Sequence, residues 1–170
     1  MAADGSFTAE YADAALFLGM NSADDEVRRA CKAFFVARCS GHLVMSLEQV
    51  GRCDDVIWGY SRELQDAYYP FMDHLHTVMD IERVGYDEAD VRRGTEADAP
   101  DHLPMHERLL LGMVHNREGL LHTVSERLLG HGALPVRAPD PVVGPEPAFP
   151  EPLEVLYRQS LVLRIPAGAL

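Results

Sequence analysis

The sequence alternates short apolar runs with longer segments of helical periodicity, and this alternation constrains the possible folds more than any other feature. Runs that predict strands occupy residues 7–11, 42–46 and 120–123. Between them, apolar side chains recur every three or four residues, which is typical of helices that cover a sheet. Strands that alternate with helices favour parallel pairing. We therefore expect an α/β fold in three layers, with a central, mostly parallel sheet and helices on both faces.

Local signals indicate where the helices begin and end. Acidic residues at positions 24–26 would interact favourably with the positive end of the helix that follows them, and Ser46 can cap a helix that begins near Leu47. Helical periodicity also covers residues 62–81 and 104–117, and a short strand is predicted over residues 82–86.

The last fifth of the chain differs from the rest. Six of the sixteen residues from 137 to 152 are proline, which predicts an extended arm. Residues 153–166 return to an apolar pattern, and residues 161–165 are a candidate edge strand. This segment could pack on the body, on a partner protein or on a second copy in a homodimer. We expect one domain over residues 1–136, followed by this arm over residues 137–170.

Composition narrows the possible partners. The 170 residues carry a net charge of −12, whereas proteins that bind nucleic acid through its phosphates usually have a basic surface. Lys32 is the only lysine among fifteen basic residues, so any phosphate contacts would fall to arginines. No apolar run approaches the roughly 18–20 residues of a membrane span, and the first residues lack a secretory signal. We therefore expect a cytoplasmic protein that does not bind a membrane.

Polar residues follow three of the predicted strands. Asp13, Ser46 and Thr123 stand at or beyond the strand ends, and Ser125 comes two residues after Thr123. The carboxyl ends of parallel strands meet at one edge of a sheet, where ligands bind. Glu107, in the first turn of the helix from residue 104, could point toward the same edge. The sequence therefore predicts a polar site at this edge.

Several of these residues also have a structural role available. Asp13 and Ser125 could each cap the helix that follows, because short polar side chains accept hydrogen bonds from the first amides of a helix. Glu107 could be only a favourable charge in a first helical turn. Both interpretations stay open at the level of sequence.

Three segments share the pattern of a known family. They are YADAALFLG, HLVMSLEQV and LPMHERLLLGMVHNREGLLHTVSERL. In these segments the chain resembles the PIN domain, a metal-dependent nuclease fold of about this size, over residues 7–136. The first segment is similar to the family's first strand, which ends in an aspartate, and the second to its second strand and helix. The third is similar to its late helix, glycine turn, strand and terminal threonine.

The resemblance implies an incompletely kept acidic cluster. Asp13 matches the aspartate of the first strand, whereas Glu107 and Ser125 stand where the family has an aspartate. The cluster would hold Mg²⁺ or Mn²⁺, which prefer oxygen ligands and can orient a water for attack on a phosphodiester. Glu107 keeps the charge, but Ser125 loses it.

The second helix departs further from the family pattern. The glutamate expected about six residues beyond the second strand falls on Arg52, with Glu48 and Asp55 one turn to either side. Either neighbour could replace it. In the metal-free protein, Arg52 is expected within salt-bridge range of Asp13 or Glu107.

The resemblance implies a divalent-metal-dependent ribonuclease that cleaves RNA phosphodiester bonds. Its implied catalytic residues are Asp13, Glu48 and Glu107, its metal ligands Asp13, Asp55 and Glu107, and its substrate-binding residues Ser46, Arg52, Thr123, Ser125 and Glu126. The alternative is a catalytically degenerate PIN-like module for binding or interaction, or a PIN fold adapted to another reaction.

Histidines offer a rival metal site. His74 with His76, and His102 with His106, lie near carboxylates and could bind zinc or iron. However, Pro104 interrupts the second pair, and histidines two residues apart diverge on a helix. The carboxylate site is the preferred hypothesis.

Overall fold

The computed structural model describes residues 7–130 and 135–170. Its elements, in chain order, are β1 (Glu10–Ala12), α1 (Ala14–Gly19), α2 (Asp25–Ala37), β2 (His42–Ser46), α3 (Leu47–Trp58), α4 (Arg62–Val78), β3 (Asp80–Val84), α5 (Glu88–Thr95), α6 (Met105–Asn116), β4 (Leu120–His122), α7 (Glu126–Leu129), β5 (Val136–Arg137), α8 (Leu153–Ser160) and a final 3₁₀ turn (Ala167–Ala169).

The five strands form one parallel sheet in the order β3-β2-β1-β4-β5. Alternate residues of β2 enter different core clusters, with Leu43 and Met45 in the larger cluster and Val44 in the smaller. Successive side chains of a strand point to opposite faces, so the two clusters lie on opposite faces of the sheet. The predicted α/β fold with a parallel sheet and helices on both faces is confirmed.

Several element boundaries differ from the prediction, and β3, for example, covers Asp80–Val84 rather than residues 82–86. The first strand is displaced from residues 7–11 to Glu10–Ala12, where it pairs with β4. The helix predicted over residues 62–81 ends at Val78, because Ile81 pairs with Leu43 in the sheet and is buried there. Apolar periodicity alone did not separate the end of this helix from the strand behind it. No helix in the described ranges is long and apolar enough to cross a membrane.

The proline-rich arm packs on the body. Phe149 and Tyr157 belong to the larger core cluster. Lys32 of α2 is 1% exposed, and its ammonium lies 3.0 Å from Glu146 and 2.9 Å from Glu154 of the arm. The same ammonium lies 4.6 Å from the ring centroid of Tyr157. The larger core therefore includes residues on both sides of position 136.

The end of the arm returns to the loop after α1. Residues 161–165, which the structure describes, do not form the expected edge strand but make one parallel bridge, between Ser22 and Ile165. The buried amide of Asn21 donates to the carbonyl of Ser160 at 3.0 Å, and Ile165 N donates to the carbonyl of Asn21 at 2.8 Å. Ile165 thus pairs with a loop rather than with the sheet.

Candidate functional site

Asp13 stands where β1 passes into α1 and is 3% exposed. One carboxylate oxygen, Oδ1, accepts a hydrogen bond from Leu16 N at 2.9 Å, which caps the helix. The other, Oδ2, accepts from the Thr123 hydroxyl at 2.5 Å. Because Ala12 pairs with His122 in the parallel sheet, the next residue of each chain segment lies beside its counterpart. Asp13 is therefore both a helix cap and a member of the polar edge.

Burial raises the pKa of Asp13 to about 6. Hydrogen bonds from Thr123 and from Leu16 N favour the charged carboxylate and oppose this rise, whereas the nearby charge of Glu107 adds to it. Asp13 therefore titrates near pH 6, well above the ordinary range of an aspartate.

Thr123, Ser125 and Glu107 form a chain of contacts from Asp13. Ser125 N donates to the Thr123 hydroxyl oxygen at 2.9 Å, and the Ser125 hydroxyl donates to Glu107 Oε1 at 3.3 Å. Ser125 precedes α7, but its side chain makes no capping hydrogen bond within the described chain. Ser125 therefore does not cap α7 through its side chain, which was one of the two roles that the sequence left open.

Glu107 is paired with an arginine that sequence reasoning missed. It is 4% exposed in the first turn of α6, and Arg127 Nη2 lies 2.7 Å from its Oε1. Arg127 Nε also donates to Oε1 and Oε2, at 3.2 and 3.3 Å. These hydrogen bonds raise the pKa of Arg127. The available signal was its place two residues after Ser125, at the start of α7.

The second strand end contributes a buried glutamine that was also missed. Ser46 caps α3 by accepting from Gln49 N at 3.2 Å. The side chain of Gln49 is almost fully buried, and its Oε1 accepts from Ala14 N at 2.9 Å. Its amide nitrogen Nε2 has no hydrogen-bond partner among the described residues. The signal was a polar residue one helical turn beyond Ser46.

The side chains at this edge surround a cavity of about 40 Å³. Gln49 and Arg52 line it from α3, His106 lines it from α6, and Leu170 is also part of its wall. Burial, and then the charge of Arg52, lower the pKa of His106, which therefore favours the neutral imidazole. The cavity thus has a polar side at the predicted edge of the sheet and an apolar side that includes Leu18, Val56 and Leu110.

Several predicted site residues lie elsewhere. Neither Glu48 nor Asp55 is among the described residues that line the cavity. Glu48 accepts a hydrogen bond from the Tyr86 hydroxyl at 2.8 Å, and Asp55 is exposed. Glu126 is exposed and lines a neighbouring cleft. Gln49, Arg52 and Val56 form the face of α3 that lines the cavity, and the two carboxylates lie on other faces of this helix.

The ion pair expected for Arg52 is not formed. Arg52 lines the cavity, but it makes no salt bridge with any described carboxylate, so the expected contact with Asp13 or Glu107 is wrong. Arg127 approaches Glu107 instead, from α7. Spacing along α3 indicated the correct face for Arg52 but could not show which arginine would reach the carboxylate.

In this arrangement the residues do not fit a divalent cation. No group of three or more His, Cys, Asp or Glu side chains in residues 7–130 and 135–170 is placed to hold a metal ion, which applies to the histidine pairs as well. Asp13 already accepts hydrogen bonds at both oxygens, and Glu107 is paired with Arg127. A guanidinium at this distance raises the cost of admitting a second cation.

The fold and the site define an α/β domain with a polar pocket at the carboxyl edge of a parallel sheet. The chain belongs to the family of unknown function DUF6190, whose model matches residues 1–170. A search of curated proteins found no match. This family membership specifies no activity, so function must be argued from the chemistry of the pocket.

Proposed function

We propose that the protein is a PIN-like binding module without nuclease activity, whose pocket holds the carboxylate group of a ligand. One observation carries this proposal. Both carboxylates of the cavity are engaged by donors, whereas the amide nitrogen of Gln49 has no described partner and Arg52 has no described salt bridge. Within the described chain, the cavity therefore offers two unused donor groups, Gln49 Nε2 and the Arg52 guanidinium, beside the unpartnered ring nitrogen Nδ1 of His106.

The chemistry of these donors favours an oxyanion. A guanidinium presents a planar fork of N–H groups that matches the two oxygens of a carboxylate, and such charge-assisted hydrogen bonds are stronger than neutral ones. Gln49 Nε2 would add a further donor. In the free protein, that nitrogen is buried without compensation, which is costly. A bound oxyanion would remove this cost.

The size of the cavity favours a carboxylate over a phosphate. One water molecule needs roughly 10–15 Å³ of free volume in a cavity. A cavity of about 40 Å³ therefore admits about three heavy atoms. A carboxylate group has three heavy atoms, whereas a phosphate group has five. The net charge of −12 also gives no general support for binding a polyphosphate chain.

Titration of isotope-labelled protein with acetate and with inorganic phosphate, followed by NMR, tests this proposal. We expect acetate to shift the amide signals around Gln49 and Ser125, and Arg52→Gln to weaken acetate binding about tenfold or more, since a hydrogen bond to a charged group is lost. Arg62→Gln, on the exposed surface of α4, is the matched control and should change nothing. Acetate binding that is unaffected by Arg52→Gln, or binding of phosphate in place of acetate, would overturn the proposal.

A divalent-metal-dependent ribonuclease is the second candidate. It is favoured by one observation, the approach of Asp13 and Glu107 to the same cavity. It requires Arg127 to leave Glu107 when Mg²⁺ or Mn²⁺ binds. Manganese titration of the unaltered protein, together with an RNA cleavage assay on the protein and on Asp13→Asn, separates the two candidates. Manganese-dependent cleavage that Asp13→Asn abolishes would establish the nuclease and reject the binding module.

A further inference from the structure

A larger cleft adjoins the cavity. Its volume is about 310 Å³, within the range of sites that take small organic molecules. Ser125, Arg127 and Leu170 line both spaces, so the cleft and the cavity share a wall. Val27 and Val124 give the cleft an apolar side.

Leu170 forms the displaceable part of this wall. It is partly buried against the larger core cluster. The amides of Ala169 and Leu170 donate only within the turn, and Ala167–Ala169 is exposed. The preceding backbone contact with the body is at Ile165, which bonds to Asn21. Among the described residues, Leu170 therefore contacts the body through its side chain, whereas the backbone of the turn makes no hydrogen bond to the body.

We propose that the cavity and the cleft are two halves of one ligand site, which Leu170 divides in the free protein. This inference rests on the proposed function, because the cavity is taken to hold a carboxylate. The cleft then receives the body of the same ligand, against Val27 and Val124. The ligand class is a small organic acid with an aryl or alkyl body, which displaces Leu170 as it binds.

The division makes a specific prediction about ligand size. Acetate needs only the cavity, where Leu170 is one wall residue among several, so its affinity should depend on Leu170 much less than the affinity of a ligand that fills both spaces. Phenylacetate needs both halves and must move the Leu170 side chain out of an apolar contact, which lowers its apparent affinity. Leu170→Ala removes most of that contact and joins the two spaces. We expect this change to tighten phenylacetate binding about tenfold and acetate binding less than about twofold.

Calorimetric titration with acetate and phenylacetate tests the division. Leu161→Ala is the matched control, because Leu161 is also a partly buried leucine of the arm but lines neither space. Thermal unfolding of both variants verifies that they are folded. A tighter phenylacetate complex in Leu170→Ala, but not in Leu161→Ala, supports the divided site.

Arg52→Gln separates this inference from the proposed function. If acetate binds through Arg52, but phenylacetate binds no more tightly in Leu170→Ala than in the unaltered protein, the divided site is rejected and the carboxylate pocket stands. If neither acid binds any of the proteins, both are rejected. Equal gains in phenylacetate affinity for Leu170→Ala and Leu161→Ala would also reject the divided site, because loosening of the arm would then explain them.

Discussion

The hydroxyl of Thr123 donates a hydrogen bond to Asp13 Oδ2 across 110 positions of the sequence. The two side chains meet because β1 and β4 are parallel neighbours that end at the same edge. The bond holds a carboxylate charged in a place where burial opposes the charge, and the balance leaves its pKa at about 6. The polar edge is therefore sensitive to pH near neutrality.

The pH dependence of stability should report on Asp13. Its pKa is about 6 in the folded protein and near the ordinary 3.8 when unfolded, so the folded state binds the proton more tightly. Titration of Asp13 should therefore contribute a rise of up to about 3 kcal/mol in the free energy of unfolding as the pH falls from about 6 to about 4, whereas carboxylates with a lowered pKa, such as Glu10 and Asp90, contribute in the opposite sense. Asp13→Asn should abolish this rise and, at pH 7, increase the free energy of unfolding by about 1–3 kcal/mol. Urea denaturation of both proteins between pH 4 and 7.5 measures this, and identical pH profiles would contradict it.

Removal of the Arg127 guanidinium should create weak metal affinity. In Arg127→Gln, Asp13 and Glu107 would face the cavity without a paired cation, so we expect Mn²⁺ to bind to this variant more tightly than to the unaltered protein. The variant should also lose about 1–3 kcal/mol of stability, because buried Glu107 loses its charged partner. Paramagnetic broadening of NMR signals by Mn²⁺ is the measurement.

Arg158→Gln is the control for that experiment. Arg158 is an exposed arginine that forms a salt bridge with buried Glu154, and Arg127 forms a similar salt bridge with buried Glu107. Arg158, however, lies in the arm. Its loss should give no manganese affinity. A failure of Arg127→Gln to bind Mn²⁺ would show that the guanidinium is not what excludes the cation.

The buried amine of Lys32 should be essential for docking of the arm. Lys32→Ala removes the shared cation of Glu154 and Glu146, although Arg158 and Arg28 still contact these carboxylates, and loss of a charged hydrogen-bond partner costs about 1–3 kcal/mol. We also expect limited proteolysis to cleave residues 137–152 faster in this variant. Arg62→Ala, which breaks a fully exposed pair, should leave both readouts nearly unchanged. An unchanged cleavage rate in Lys32→Ala would contradict the prediction.

The crossing of α5 and α6 should tolerate no side chain at Gly112. A Cβ there would lie 2.5 Å from Gly94 N and 2.6 Å from the carbonyl oxygen of Asp90. Gly112→Ala should therefore destabilise the protein by about 1–3 kcal/mol, through overpacking. Gly51→Ala, inside α3 with nothing within 4 Å of the new Cβ, should instead stabilise it by about 0.4–1 kcal/mol. Thermal unfolding distinguishes these opposite signs.

The parts of the fold that could be predicted are those with local signals. The apolar run before Ser46 and the cap at Ser46 give the end of β2 and the start of α3 at the observed residues. The bounds of β1 depend on its pairing with β4, more than a hundred residues away. The apolar alternation within β1 does not indicate which strand it pairs with. The end of α4 was displaced for the same reason.

The candidate site shows the same division. Asp13, Thr123 and Glu107 were predicted together because strand ends and a first helical turn share one edge. Arg127 was not predicted as a site residue, because its contact with Glu107 depends on the orientation of α7 after β4. No local sequence pattern predicts that orientation. Gln49 was missed because a glutamine on a helix is most often exposed, and only the approach of α1 makes it a buried bridge.

The anchoring of Asn21 to Ser160 has a consequence for synthesis of the chain. The two residues are 139 positions apart, and ribosomes add roughly 5–20 residues per second, so Asn21 waits roughly 7–28 seconds for its partner. From the time that α4 is synthesised, the ring of Phe71 lacks the contacts that Phe149 and Tyr157 later provide. A nascent chain of this protein therefore carries an unfinished apolar surface until the arm has been synthesised, which is the kind of surface that chaperones bind.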